Sequence, residues 1–198
     1  MRTKKSWIRT ELPQLLLLIG LILAARSSFA DHYYVPSGSM EYTLMSGDRV
    51  FVDKTAYGLR LPFSTLEISR GKPVERGEVV IFDSPRSGVR LIKRIVGVGG
   101  DAITIENGSL TVNGTALARN KRSVEFFGKR AVTLNLRDGG GPNIGRIEIP
   151  PGMLLAVGDH RGNSLDGRYF GLIPEDDVYG RAVAVYRRRD AGFTWLPL

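Results

Sequence analysis

The segment from Leu12 to Ala30 constrains the fold of this chain more than any other, because its 19 residues contain an uninterrupted apolar run from Leu15 to Ala25. A helix of that length extends about 28 Å, which matches the hydrocarbon core of a bilayer. Basic residues precede it at positions 2, 4, 5 and 9, and this bias predicts a cytoplasmic N-terminus over residues 1–11. We therefore expect one transmembrane anchor over residues 12–30.

A cleavable signal peptide is the alternative interpretation of the same segment. The run Leu15–Ala25 has the length of a signal-peptide apolar region, and Ser28-Phe29-Ala30 has the small-x-small ending of a cleavage site. The sequence leaves both interpretations open. Both place residues 31–198 on the outer, periplasmic side of the cytoplasmic membrane.

The net charge of +8 favours contact with an acidic partner. The N-terminal basic residues fit anionic headgroups, so membrane lipid is an expected partner. Nucleic acid is not expected, because neither a pattern of stacking aromatic residues nor a recognition helix accompanies the charge.

Beyond residue 31 the pattern is one of short strands. Segments rich in β-branched and aromatic residues, bounded by glycine, proline or aspartate, predict strands at residues 49–53, 78–82, 89–96 and 182–186. A hairpin is predicted from residues 102–105 and 110–112, joined through Asn107-Gly108. We expect a mainly β fold, with a core formed by residues 31–101 and 149–198 and a small inserted hairpin or β subdomain at residues 102–148.

The composition excludes several kinds of chemistry. Without cysteine there is no thiol nucleophile, disulfide or thiolate metal site. The two histidines, His32 and His160, lack the one-turn spacing of a zinc protease signature, and no phosphate-binding loop is present. No metal or other cofactor is therefore predicted, and both histidines are expected to be surface or turn residues.

The run Pro36-Ser37-Gly38-Ser39-Met40 places Ser39 in a predicted turn soon after the apolar segment. A serine hydroxyl attacks a carbonyl only if a neighbouring base takes its proton, and lysine serves as that base as well as histidine does. The same run is also typical of a simple polar turn. Ser39 is thus a candidate nucleophile that needs a base.

Lys93 is the candidate base. It lies in the predicted strand 89–96 among aliphatic residues, where burial lowers the pKa of a lysine from about 10.4. A snorkelling strand lysine is the alternative. The segment 158–171 is predicted to be a loop crosslinked by its own side chains, with Ser164 able to hydrogen-bond a lysine and Asp166 able to pair with Arg168.

Three segments, in this order after an apolar anchor, resemble the bacterial type I signal peptidases. They are Ser37-Gly38-Ser39-Met40 with Thr43-Leu44 and Gly47-Asp48, then Ile92-Lys93-Arg94-Ile95-Val96-Gly97 with Asp101, then Gly158-Asp159 and Arg161 with Ser164, Asp166, Arg168-Tyr169 and Gly171. The resemblance implies a membrane-anchored serine endopeptidase with an antiparallel β-sheet catalytic core. Such an enzyme removes signal peptides from exported preproteins by cutting after small-x-small sites.

The resemblance also implies a role for each matched residue. Ser39 matches the nucleophile and Lys93 the general base. The Ser37 hydroxyl and the Ser39 backbone N–H match the oxyanion hole. The supporting residues are Ser164, which orients the lysine, and the ion pair of Asp166 with Arg168; the substrate pocket comprises Tyr33, Val35, Pro36 and Ile92.

The chain departs from the family at five positions. The family usually has proline at Tyr42 and Gly99, asparagine at His160, serine at Gly167 and tryptophan at Phe170. None of these changes removes a catalytic group, and they suggest a divergent branch dedicated to few substrates, such as pilins. A catalytically silent, membrane-tethered β domain that binds exported polypeptides or envelope partners remains the alternative.

Overall fold

The computed structural model describes residues 11–20, 22–23, 29–60, 67–118 and 123–198. Residues 11–20 are helical. Within the described ranges, no helix reaches the length and hydropathy that crossing a bilayer requires. Residues 21 and 24–28 of the expected anchor lie outside those ranges.

The expected end of the anchor is wrong at Ala30. This residue begins a strand instead of ending a helix, since it pairs with Asp53 in an antiparallel ladder. The ladder gives the backbone of Ala30 the hydrogen-bond partners that a helix end would lack.

Beyond the apolar segment, strands are the main regular structure of the described residues. In chain order the strands are β1 (Ala30–Tyr34), β2 (Arg49–Asp53), β3 (Gly58–Arg60), β4 (Glu67–Arg70), β5 (Val79–Asp83), β6 (Arg90–Val98), β7 (Ala102–Glu106), β8 (Ser109–Val112), β9 (Thr115–Ala116), β10 (Val124–Phe127), β11 (Arg130–Thr133), β12 (Ile144–Glu148), β13 (Met153–Val157), β14 (Ile173–Pro174), β15 (Val178–Arg188) and β16 (Gly192–Pro197). A short helix, Gly167–Phe170, and a 3₁₀ turn, Glu175–Asp177, lie between β13 and β15. The prediction of a mainly β, antiparallel fold is confirmed.

The main sheet has the order β1-β2-β15-β5-β6-β13-β14, with β16 added to β15. Strand β6 lies well inside this sheet, and its residues from Ile92 to Val96 are all buried. It pairs with β5 along residues 90–94 but with β13 only along residues 94–98. Within the described chain, residues 90–93 therefore keep one backbone edge unpaired, and Lys93 lies on this free stretch.

Residues 102–148 form two smaller sheets. One has the order β12-β7-β8-β9 and the other consists of β10 and β11. The β7–β8 turn uses Asn107 and Gly108 at φ values of 50° and 79°, as expected of a type I′ hairpin. Ile103, Ile105 and Leu110 pack with Leu155 and Val157 in one hydrophobic cluster, so the inserted strands share a core with β13.

A fully buried ion pair also ties the inserted strands to the segment after β13. Arg161 Nη2 lies 2.7 Å from Glu125 Oε2, and both side chains are inaccessible to solvent. Arg161 also donates to the carbonyls of Gly108 and Gly158, while Glu125 accepts from the Leu110 N–H. The polar groups of both side chains are thereby paired, as burial requires.

We predict that Glu125→Gln lowers the free energy of unfolding by about 3 kcal/mol or more, because the Arg161 guanidinium is then buried without a counter-charge. Denaturant unfolding measures this change. The matched control is Glu148→Gln, since the pair of Glu148 with Arg146 is largely exposed and should contribute little. An equally small effect of both substitutions would contradict the structural role of the buried pair.

Candidate active site

Ser39 lies in a compact turn between β1 and β2. The turn is closed at its base because the Val35 N–H donates to the Asp48 carbonyl and the Gly47 N–H donates to the Val35 carbonyl, both at 2.9 Å. Met40, directly after the serine, is fully buried. The turn is therefore fixed to the core and holds Ser39 at its inner side, with only 9% of the residue exposed.

The structure brings Ser39 and Lys93 into direct contact. Lys93 Nζ donates to Ser39 Oγ at 2.5 Å, and the contact is buried. Ser37 lies on the other side of the same hydroxyl, with its Oγ donating to Ser39 Oγ at 3.3 Å. No backbone acceptor in the described chain takes the Ser39 N–H, so this donor is available to a bound group.

Burial lowers the pKa of Lys93 to about 8. The nearby negative charges of Asp166 and Asp159 oppose this effect, and the positive charge of Arg168 adds to it. Desolvation outweighs the carboxylates because only 3% of Lys93 is exposed. A neutral amine at this position can accept the proton of the Ser39 hydroxyl across the same short contact.

Asp166 and Arg168 form the ion pair that the sequence predicts. Arg168 donates Nε to Asp166 Oδ1 and Nη2 to Oδ2, both at 2.8 Å, and Asp166 caps the short helix Gly167–Phe170. Burial by itself would raise the pKa of Asp166, but the hydrogen bond and charge of Arg168 outweigh it and lower the pKa. Asp166 is therefore held as a carboxylate whose charge is balanced by Arg168.

Ser164 lies beside the nucleophile but does not bond to the lysine. A side chain on Gly158 would overlap both Ser164 Oγ and the Ser39 carbonyl oxygen, so the absence of a Cβ lets these groups pack together. Ser164 Oγ is buried, and the described chain offers it no partner with hydrogen-bond geometry. The predicted contact of Ser164 with Lys93 is absent from this arrangement.

A second buried ion pair, between Arg94 and Asp159, was not assigned a role from the sequence. Arg94 donates Nε and Nη2 to the two Asp159 oxygens at 2.9 and 2.7 Å. Thr43 joins them by donating its hydroxyl to Asp159 Oδ2 and accepting from Arg94 Nη2. The sequence does contain a hint of this pair. Lys93 and Arg94 are adjacent in a strand rich in aliphatic residues, and burying both cations requires at least one carboxylate partner.

Three of the predicted pocket residues pack together at the stretch of β6 that lacks a second strand partner in the described chain. Val35 and Ile92 are buried in one hydrophobic cluster, and Tyr33 packs against it. The Tyr33 hydroxyl donates to the Arg90 carbonyl at 2.9 Å, which links β1 to β6. Pro36 is exposed.

His160 begins a turn, since the Asn163 N–H donates to its carbonyl, but it does not lie at the surface. Only 5% of this residue is exposed, because it follows Asp159 into the space behind the serine turn, where its N–H donates to the Ser39 carbonyl. In the described ranges no group of histidine and acidic residues is arranged to hold a metal ion.

Comparisons with known proteins point to one family. The family model for signal peptidase, peptidase S26, matches residues 5–187. Probable signal peptidase I-2 of Synechocystis is 30% identical, over 90% of this chain and 72% of the relative. Signal peptidase I of Pseudomonas aeruginosa is 34% identical, over 84% of this chain and 68% of that protein. A solved signal peptidase I from Enterococcus faecalis is 27% identical and covers 57% of this chain and 98% of its own, with a TM-score of 0.41.

The sequence matches define a class of peptidase. The chain belongs to the peptidase S26 family of signal peptidases. It is a serine peptidase of the type I signal peptidase class, which replaces the alternative of a catalytically silent β domain.

We predict that Lys93→Met stabilises the fold while it removes the amine. Because burial lowers the pKa of Lys93 to about 8, the protonated lysine is less favourable in the folded than in the unfolded chain. Below about pH 8 the substitution should raise the free energy of unfolding by about 3 kcal/mol. This gain should vanish above about pH 10.5, where the lysine is neutral in both the folded and the unfolded chain.

Denaturant unfolding at several pH values measures this gain. Lys129→Met, at an exposed lysine, is the matched control and should show no such pH-dependent gain. A loss of stability in Lys93→Met across the whole range would show that Lys93 is held by favourable contacts instead of being buried at a cost.

Proposed function

We propose that this peptidase cuts signal peptides from exported preproteins with Ser39 as nucleophile and Lys93 as general base. The single observation that carries the proposal is the buried 2.5 Å contact between Lys93 Nζ and Ser39 Oγ. A serine hydroxyl becomes nucleophilic when a base adjoins it, and a lysine whose pKa is near 8 supplies that base in its neutral form.

The reaction then follows from the arrangement of the donors. Neutral Lys93 takes the proton of Ser39 as Oγ attacks the scissile carbonyl, and the resulting oxyanion accepts hydrogen bonds from the Ser39 N–H and the Ser37 hydroxyl. Each such donor is worth on the order of 3 kcal/mol in the transition state. Lys93 passes its proton to the departing amine and leaves an acyl-enzyme on Ser39. A water molecule, deprotonated by Lys93, then releases the acyl group and regenerates the serine hydroxyl.

The remaining predicted residues support the lysine. Asp166 and Arg168 balance each other's charge beside Lys93, so the carboxylate does not form an ion pair that would keep the lysine protonated. The Ser164 hydroxyl is buried and lacks a hydrogen bond of good geometry within the described chain, but it lies close enough to Asp166 to help lower the pKa of that carboxyl. We propose that this hydroxyl turns from Asp166 to orient the Lys93 amine.

The substrate is proposed to lie as an extended strand between β1 and the free edge of β6. In the described chain β1 pairs only with β2, and β6 leaves residues 90–93 unpaired on one side. An added strand directs alternate side chains to the same face. Val35 and Ile92 would form the walls of the substrate pockets. Because both belong to a tightly packed cluster, only small residues should fit at the first and third positions before the cut.

The position of the site agrees with a substrate that emerges from a membrane. Strand β1 leads directly from the apolar segment to Ser39, with Ala30 and Ser39 only nine residues apart. We propose that this segment is a single-pass anchor with a cytoplasmic N-terminus, held among membrane lipids and leaving the peptidase on the periplasmic side. Tyr42 and Gly99 lie in turns, and the loss of the family's usual proline loosens both turns. We propose that this change favours a narrow substrate set such as pilins.

We predict that Ser39→Ala and Lys93→Ala each abolish preprotein cleavage, because one removes the nucleophile and the other the base. The double variant should be scarcely slower than either single one, since the two groups act as a unit. Detergent-solubilised protein and a preprotein with an Ala-x-Ala site provide the assay, with cut positions read by mass spectrometry. Near-normal turnover in either single variant would exclude this dyad.

We also predict that cleavage rises with pH with a midpoint near the Lys93 pKa of about 8, because only the neutral amine accepts the Ser39 proton. Lys93→Arg should stay inactive at every pH, since arginine does not deprotonate in proteins. The rate of cleavage under single-turnover conditions, measured between about pH 6 and pH 10, gives the profile. A profile that depends on the exposed His32, or activity in the arginine variant, would contradict lysine as the base.

A further inference from the structure

His160 has acceptors on both sides of its buried ring. On one side Nδ1 lies 3.2 Å from the Gly38 carbonyl oxygen and 3.5 Å from Glu41 Oε2. On the other side Nε2 lies 2.8 Å from Asp138 Oδ2. This second contact is short but not aligned as a hydrogen bond, so the contact with the Gly38 carbonyl is the directed one.

The contact with the Gly38 carbonyl specifies which ring nitrogen is the donor. A carbonyl oxygen can only accept a hydrogen bond, so the proton of this bond lies on His160 Nδ1.

The ring joins two elements that the chain brings together from distant positions. Gly38 and Glu41 belong to the serine turn, whereas Asp138 belongs to the loop of residues 134–143 between β11 and β12. A short parallel bridge reinforces this meeting, since the Asn135 N–H donates to the Asp159 carbonyl and the Arg161 N–H donates to the Asn135 carbonyl. His160 thus lies where the inserted region meets the nucleophile.

We propose that His160 is a positioning residue for Ser39. Its Nδ1 holds the carbonyl of Gly38, the residue before Ser39, and its Nε2 lies 2.8 Å from Asp138 of the loop of residues 134–143. The proposal rests on Ser39 being the nucleophile.

The ionisable groups in contact with the ring are two carboxylates, Glu41 from the serine turn and Asp138 from the 134–143 loop. The neighbouring arginines have other partners: Arg161 binds Glu125, Arg168 binds Asp166, and Arg137 lies over the Tyr42 ring. The His160 ring is therefore the side chain through which the serine turn meets Asp138.

The kinetic test compares His160→Ala and His160→Asn with wild type in the full chain. Alanine loses the hydrogen bond to the Gly38 carbonyl, so kcat should fall by about tenfold while KM stays unchanged. Asparagine can still donate to that carbonyl and should restore most of the lost kcat.

His32→Ala is the matched control, because His32 is the other histidine of the chain and its side chain is half exposed. It should leave kcat unchanged. A kcat of His160→Ala equal to that of His32→Ala, or no recovery of kcat in His160→Asn, would overturn the proposal. Failure of the proposed function itself is distinguished by Ser39→Ala, which would then retain cleavage.

A second readout does not depend on activity. NMR spectra of the full chain with ¹⁵N-labelled histidine should show two imidazoles, of which His32→Ala removes one. The remaining ring should carry a proton on Nδ1, the nitrogen that faces the Gly38 carbonyl. A ring protonated on Nε2 alone would overturn the proposal even if the variants were unstable.

Discussion

The contact between a buried lysine amine and a serine hydroxyl is the interaction on which the rest of this structure depends. Lys93 has lost its water, yet none of the described carboxylates lies within ion-pair distance of it. The two nearest acidic residues are each occupied, Asp159 by Arg94 and Asp166 by Arg168. If either arginine were absent, the freed carboxylate would favour the protonated lysine. The two ion pairs therefore fix the local structure and also keep the amine available as a base.

The inserted strands support the site through contacts with the segment that follows β13. Glu125 holds Arg161, the 134–143 loop meets His160, and Arg168 donates to the carbonyl of Gly140 at 2.7 Å. Each contact joins the inserted region to the segment that follows β13, which also carries Asp159 and Asp166. The region that lacked any motif in the sequence thus forms one wall of the polar network beside the serine.

Local chemistry explains which features the sequence could predict. The alternation around Lys93 predicts a strand at residues 89–96, and the structure has Arg90–Val98; Asn107-Gly108 predicts a tight turn because both residues accept positive φ. The long-range pairs had no local signal, since Glu125 and Arg161 are 36 residues apart and nothing near either residue indicates the other. The strand start at Ala30 was missed for the same reason, because its partner Asp53 is supplied by β2.

The most direct test of the account is the titration of the Lys93 amine itself. In the full chain with ¹⁵N-labelled lysine, NMR would identify its signal as the one missing from Lys93→Met. Burial should place the midpoint of that signal near the pKa of about 8, well below the other lysines. A Lys93 signal that stays protonated together with the exposed lysines, to about pH 10, would contradict the central claim that burial prepares this amine to act as the base.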